Sequence, residues 1–311
     1  MRLFLGGSNG LVLYEDGDVT SLHQEPVLCA LRTSSSRLVA GTASGWTLVW
    51  EGNGDSRVSA KDLGDAVHSL AQTANNVLFA GSMPANTWVS KDGGDSWKLS
   101  PALAEAPNYE SWTAPWGIPV AASIAAHPKD AKTLYVGIEQ GGIYRTRDAG
   151  RRWFDLEIPG SDVHSIQICP ANHLRIYVTT GEGSFCSDDE GFNWRLMGPT
   201  NARQYTMGLA AHPTEADRVI ISAAEGPPPA WGKSGARCDI YLSTDAGRRF
   251  RTVAKGLKGG VGRKALVINS KVPSEIVFGT SLGELYYSND GGESFDLEAK
   301  GLGDLNAIAF A

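Results

Sequence analysis

One octet recurs five times along the chain: SKDGGDSW at 90–97, TRDAGRRW at 146–153, SDDEGFNW at 187–194, STDAGRRF at 243–250 and SNDGGESF at 288–295. The shared pattern, Ser/Thr-x-Asp-x-Gly-x-x-Trp/Phe, has the chemistry of a tight hairpin. The Asp carboxylate can accept backbone N–H bonds across a turn, the Gly can take positive φ, and the aromatic can anchor the returning strand. Asp92, Asp148, Asp189, Asp245 and Asp290 are therefore read as structural turn residues rather than catalytic acids.

Apolar segments of strand length (TLYVGIE, RIYVTTG, RVIISAAE, EIVFGTS) precede four of the octets, and further apolar segments follow them. Two more units, RLFLGGSNGLVLYEDG and RLVAGTASGWTLVWEG, keep the strands without the octet. Four short strands per unit define a propeller blade, and 311 residues over seven units give roughly 44 each, within the range of such repeats. The expected fold is all-β: a seven-bladed β-propeller occupying 1–311 as one domain. It would be closed by pairing LNAIAFA at the end with RLFLGG at the start. A chain ending at Asp304 should then lose most of its stability, because closure removes free sheet edges.

Composition fits a folded chain, with 42% hydrophobic and 20% charged residues, and no apolar run approaches the ~18 residues of a membrane-spanning helix. A net charge of −6 gives no footprint for nucleic acid or an anionic membrane, and the short apolar opening MRLFLGG leads to the expectation of a cytoplasmic protein. Cys29, Cys169, Cys186 and Cys238 show no CxxC or zinc spacing, so neither metal nor cofactor is expected.

In an antiparallel blade the octets join the third strand to the fourth, at one end. The opposite end collects the second-to-third turns and the links between blades, and it also receives two insertions. One, 98–120, carries Trp112 and Trp116; the other, 226–237, carries three prolines and Trp231. Glu139, Glu182 and Glu225 each end a second strand at that same end, beside His164, Arg203, Tyr205 and Lys264, with His68 on an equivalent first strand. Carboxylates next to histidine suit general acid and base chemistry, so Glu139, Glu182 and His164 are the catalytic candidates. The remaining residues would line a ligand pocket. The bland alternatives stay open: the tryptophans pin their own loops, the glutamates are solvated or ion-paired, and His68 and His164 bond to neighbouring blades.

Segments such as AHPKDAKTLYVGIEQGGIYRTRDAGRRWFDL resemble the Asp-box, or BNR, repeats of propellers in bacterial sialidases, xyloglucan-degrading glycoside hydrolases, sortilin-type receptors and photosystem II assembly factors. The sialidases of that group imply an Arg-Ile-Pro motif; here GIPV at 117–120 has no arginine. The resemblance implies a glycosidase-like propeller that binds or acts on a small polar ligand, such as a carbohydrate. The alternative it implies is a non-catalytic scaffold that binds a protein partner.

Overall fold

The computed structural model describes residues 1–52, 56–198, 204–230 and 235–311. Among the described residues the strands form seven four-stranded antiparallel sheets in chain order, a seven-bladed β-propeller, with only short 3-10 turns besides. We number the sheets 1 to 7. In sheet 1 the C-terminal strand Leu305–Phe310 heads the order and lies beside Arg2–Gly7, and the Ala311 N–H donates to Arg2 O at 3.0 Å. The chain clusters into two compact units. Met1–Val163 with Ala309–Ala311 holds sheets 2 to 4 and most of sheet 1, and His164–Ile308 holds sheets 5 to 7.

Within each unit the middle strands are largely buried because both their faces are covered. Leu134–Ile138 in sheet 4 and Val219–Ala224 in sheet 6 are buried at every position, whereas the fourth strand Asp296–Ala299 of sheet 7 is largely exposed. In the first unit, apolar layers fill the space between successive sheets, around Leu38 and Trp50, around Val39 and Val67, and around Phe79 and Val136. Glycines in second strands let the next sheet approach. A Cβ on Gly41 would lie 2.5 Å from Val67 Cγ1, and one on Gly81 would lie 2.6 Å from Ala121 O.

The five octets share one hydrogen-bond pattern. In 243–250 the Ser243 hydroxyl donates to Asp245 Oδ1 at 2.9 Å and accepts from Gly247 N at 2.8 Å. Asp245 then accepts from Arg249 N at 2.9 Å through Oδ1 and from Arg249 Nε at 2.8 Å through Oδ2. Ser96, Arg152, Asn193 and Ser294 supply the side-chain donor in the other four octets. Burial opposes ionisation of these carboxylates, but the convergent donors outweigh it, and Asp92, Asp148 and Asp290 are lowered to about 2.

The turn conformation departs from the expectation of a single positive-φ glycine. Two consecutive residues are left-handed in every octet, and the first is Gly93, Ala149, Glu190, Ala246 or Gly291, with φ between 59° and 76°. The reason is non-local. In sheets 4 to 7 the N–H of that residue donates to a carbonyl in the turn between the first two strands of the same sheet: Lys132, Leu174, Asp217 and Ser274 O, at 2.8–2.9 Å. In three octets its own carbonyl is then held by an arginine of the preceding sheet, with Arg37 on Gly93 O, Arg195 on Ala246 O and Arg218 on Gly291 O.

Candidate functional site

In the first unit Lys98–Ser100 is the fourth strand of sheet 3, and the rest of the insertion, 101–120, folds onto sheet 4. After the 3-10 turns Pro101–Glu105 and Tyr109–Ser111, Trp112 enters the core, 6% exposed, with its ring 4.9 Å from those of Tyr109 and Tyr144. Its Nε1–H donates to Tyr144 Oη at 2.8 Å. The Asn108 amide donates to Asp155 Oδ2 at 3.2 Å, and Thr113 N donates to Gln140 O at 3.3 Å. This bracing leads directly into a tight turn, closed by the Gly117 N–H on Ala114 O at 2.8 Å, that presents Trp116 at 50% exposure with Ile118 beside it. The two tryptophans therefore have opposite environments.

Glu139 follows the strand Leu134–Ile138 and is buried, and its N–H donates to Val120 O at 3.0 Å. A residue the sequence reading passed over, Asp162, places a carboxylate oxygen within 4.8 Å of the Glu139 carboxylate. Two oxygen donors at that spacing could contribute to a hard-cation site, but a full shell takes six or more ligands. His68, on the strand Ala66–Gln72, is half-buried.

In the second unit His164 is fully buried, its ring 4.7 Å from Tyr205 and its Nδ1 2.6 Å from Thr206 O. A carbonyl only accepts, so this contact assigns the proton to Nδ1. The Ser165 hydroxyl donates to Arg263 O at 3.0 Å, joining sheet 5 to the segment ahead of sheet 7, where half-buried Lys264 bridges to Ala307. Glu182 is exposed on the turn between Ile176–Thr180 and Gly183–Ser187, its N–H on Thr180 Oγ1 at 3.0 Å. Glu225 is also exposed, 3.2 Å from Arg237 Nη1. The described structure thus brings His164 to Tyr205 and Glu225 to Arg237. Arg203 and Trp231 lie outside the described residues.

Two cavities open away from these side chains. One of about 570 Å³ in the first unit is lined by His23, Glu25 and Ser56, and one of about 370 Å³ in the second by His212, Glu215, Arg218 and Asp290.

Comparison with known proteins places this seven-bladed propeller beside glycoside hydrolases and receptor-type propellers. The family described as "Sortilin, neurotensin receptor 3" matches residues 141–259. A xyloglucanase of Hypocrea jecorina (strain QM6a) is 30% identical over 185 aligned positions, in a match that covers 55% of this chain and 18% of that enzyme. Among solved structures, the GH74 xyloglucanase from Xanthomonas campestris matches 89% of this chain and 46% of its own, at a TM-score of 0.68 and 17% identity. YCF48 bound to D1 peptide matches 95% of this chain and 86% of its own, at a TM-score of 0.64 and 15% identity. The chain thus spans under a fifth of the curated relative and under half of the GH74 structure. No helix among the described residues is long and apolar enough to cross a membrane.

Proposed function

We propose that this propeller binds a carbohydrate or similar small polar ligand, and that the insertion 98–120 provides the contact surface. The observation that carries the reading is Trp116, half exposed on a turn braced by buried Trp112. A large ring held out on a rigid turn is a stacking surface that loses little entropy on binding. The 30% identity to a xyloglucanase supports a glycan as the ligand.

Turnover asks for an exposed acid or base as well. Of the three candidates, His164 and Glu139 are buried and Glu182 is open to solvent, so Glu182→Gln is the informative variant for hydrolysis. Thermal shift and tryptophan fluorescence with xyloglucan oligosaccharides, other glycans and organic acids test binding. Trp116→Ala should abolish any response while leaving the melting temperature unchanged. A response that survives Trp116→Ala would sink this assignment.

A second reading, a scaffold for a protein partner, is favoured by the near full-length structural match to YCF48, which was solved with a peptide bound. Silence across the glycan panel, together with a peptide or protein ligand lost on Trp116→Ala, would move the conclusion there.

A further inference from the structure

The turn from His212 to Arg218 joins all three sheets of the second unit. Ala216 O accepts from Arg175 Nη1 at 2.9 Å and Tyr177 Oη at 3.0 Å, both from sheet 5. Asp217 O accepts the Ala246 N–H of the sheet 6 octet at 2.8 Å. Arg218 donates to Gly291 O in the sheet 7 octet and lies 3.3 Å from Glu293. The turn itself is shaped by one side chain. His212, only 5% exposed, accepts through Nδ1 from Thr214 N at 3.3 Å and Glu215 N at 3.0 Å.

Backbone N–H groups donate and never accept, so this geometry requires a lone pair on Nδ1 and puts the ring proton on Nε2. A second proton can only go to Nδ1, where it would face two donors and forfeit both bonds. The charged groups around the ring come from its own turn and from sheet 7. Glu215 Oε1 is 3.6 Å from Nε2, and Arg218 Nη1 is 3.7 Å from Glu215 Oε2. Asp290 lines the same cavity but is committed to its octet, and Glu293 is shared between Arg218 and Arg251. The Pro273–Ser274 side of the cavity brings no charge, and from sheet 5 Arg175 arrives already paired with Asp188 and Asp217. Burial and Arg218 disfavour the imidazolium more than Glu215 favours it, and the His212 pKa is lowered.

We propose that the His212 turn is a pH-sensitive coupling that holds sheets 5, 6 and 7 together while its imidazole is neutral and releases them once the ring is protonated. The sign follows from linkage. A histidine whose folded pKa lies below its unfolded value near 6.5 contributes stability above that value and loses it as pH falls through the folded pKa.

Amide hydrogen exchange on the full chain, corrected for intrinsic rates, tests this at pH 7.5 and 5.0. Protection of Thr214 and Glu215 should fall severalfold at the lower pH, with a parallel fall at Ala246, whose N–H donates to Asp217 O of the same turn. His212→Asn retains a side-chain acceptor that does not titrate, so its protection at these amides should be equal at the two pH values. Equal protection in the unaltered chain, or the same fall in His212→Asn, overturns the proposal. Should His212→Asn not fold, ring-carbon NMR titration of the unaltered protein decides. A midpoint below 6.5 shared with the Thr214 and Glu215 amide shifts supports the coupling, and a midpoint at or above 6.5, or amide shifts that do not follow it, refutes it.

Discussion

Ala149 and Ala246 occupy the same octet position, with φ of 59° and 60°, where the other octets place Gly93, Gly291 and Glu190. For an L-residue the left-handed region costs roughly 1–2 kcal/mol, and replacing it by glycine returns that energy less about 0.5–1 kcal/mol of unfolded-chain entropy. Ala149→Gly, at an exposed methyl, should therefore stabilise by about 0.5–1 kcal/mol. Ala246 is 0% exposed, and deleting its methyl removes about 0.8 kcal/mol of burial, so Ala246→Gly should come out near zero. The backbone bonds to Lys132 O and Asp217 O persist in both variants, so the difference isolates the methyl. Urea unfolding followed by tryptophan fluorescence, with parallel calorimetry, reads both variants against the parent. A destabilised Ala149→Gly, or equal shifts in the two variants, would refute the reasoning that a non-local hydrogen bond imposes the left-handed residue at a conformational cost.

Three further outcomes are expected. Asp148→Ala removes an acceptor from Thr146 Oγ1, Arg151 N and Arg152 N and should destabilise by about 1–2 kcal/mol in the same urea assay, as loss of a helix cap does. Because Asp92, Asp148 and Asp290 are lowered to about 2 from ordinary values near 3.8, their contribution is complete above about pH 4 and is lost as pH falls toward 2. Melting temperatures should drop across that window, and a variant with all three changed to Asn should show a smaller drop. Trp112→Ala should cost about 3–5 kcal/mol through its cavity, against a change within about 0.5 kcal/mol for Trp116→Ala; comparable losses would mean that Trp116 is also a packing residue.

The blades were legible because their signals are short-range: the Ser/Thr and Asp side chains of an octet close their hydrogen bonds within eight residues, and a middle strand covered on both faces, such as Leu134–Ile138, reads as a continuous apolar run. Apart from the bond of His164 to the neighbouring sheet, what joins one blade to the next was not legible. The arginines on Gly93, Ala246 and Gly291 carbonyls act across 56, 51 and 73 residues, and nothing local distinguishes them from solvated charge. The same limit applies to the site. Trp112 and Trp116 sit four residues apart in an irregular insertion with no strand or helix period, so their opposite burial depends on Tyr144, which arrives from another strand. Nothing local sets His212 apart in the turn AHPTEADR; its importance comes from what the turn carries, which only the Arg175 and Gly291 contacts reveal.

The pairing of Leu305–Phe310 with Arg2–Gly7 also bears on the order in which the chain acquires its structure. Octet hairpins connect neighbouring strands and can form on the microsecond scale of isolated hairpins. Bringing the two terminal strands together closes a loop of roughly 300 residues, and the logarithmic entropy of such a loop is about 5 kcal/mol before any contact compensates. By loop entropy alone, sheet 1 is the last of the seven to close. Its three N-terminal strands would wait, with one edge unpaired, until the final six-residue strand is available. Until Leu305–Phe310 is in place that edge stays open, which leaves Arg2–Gly7 available for mispairing with another copy.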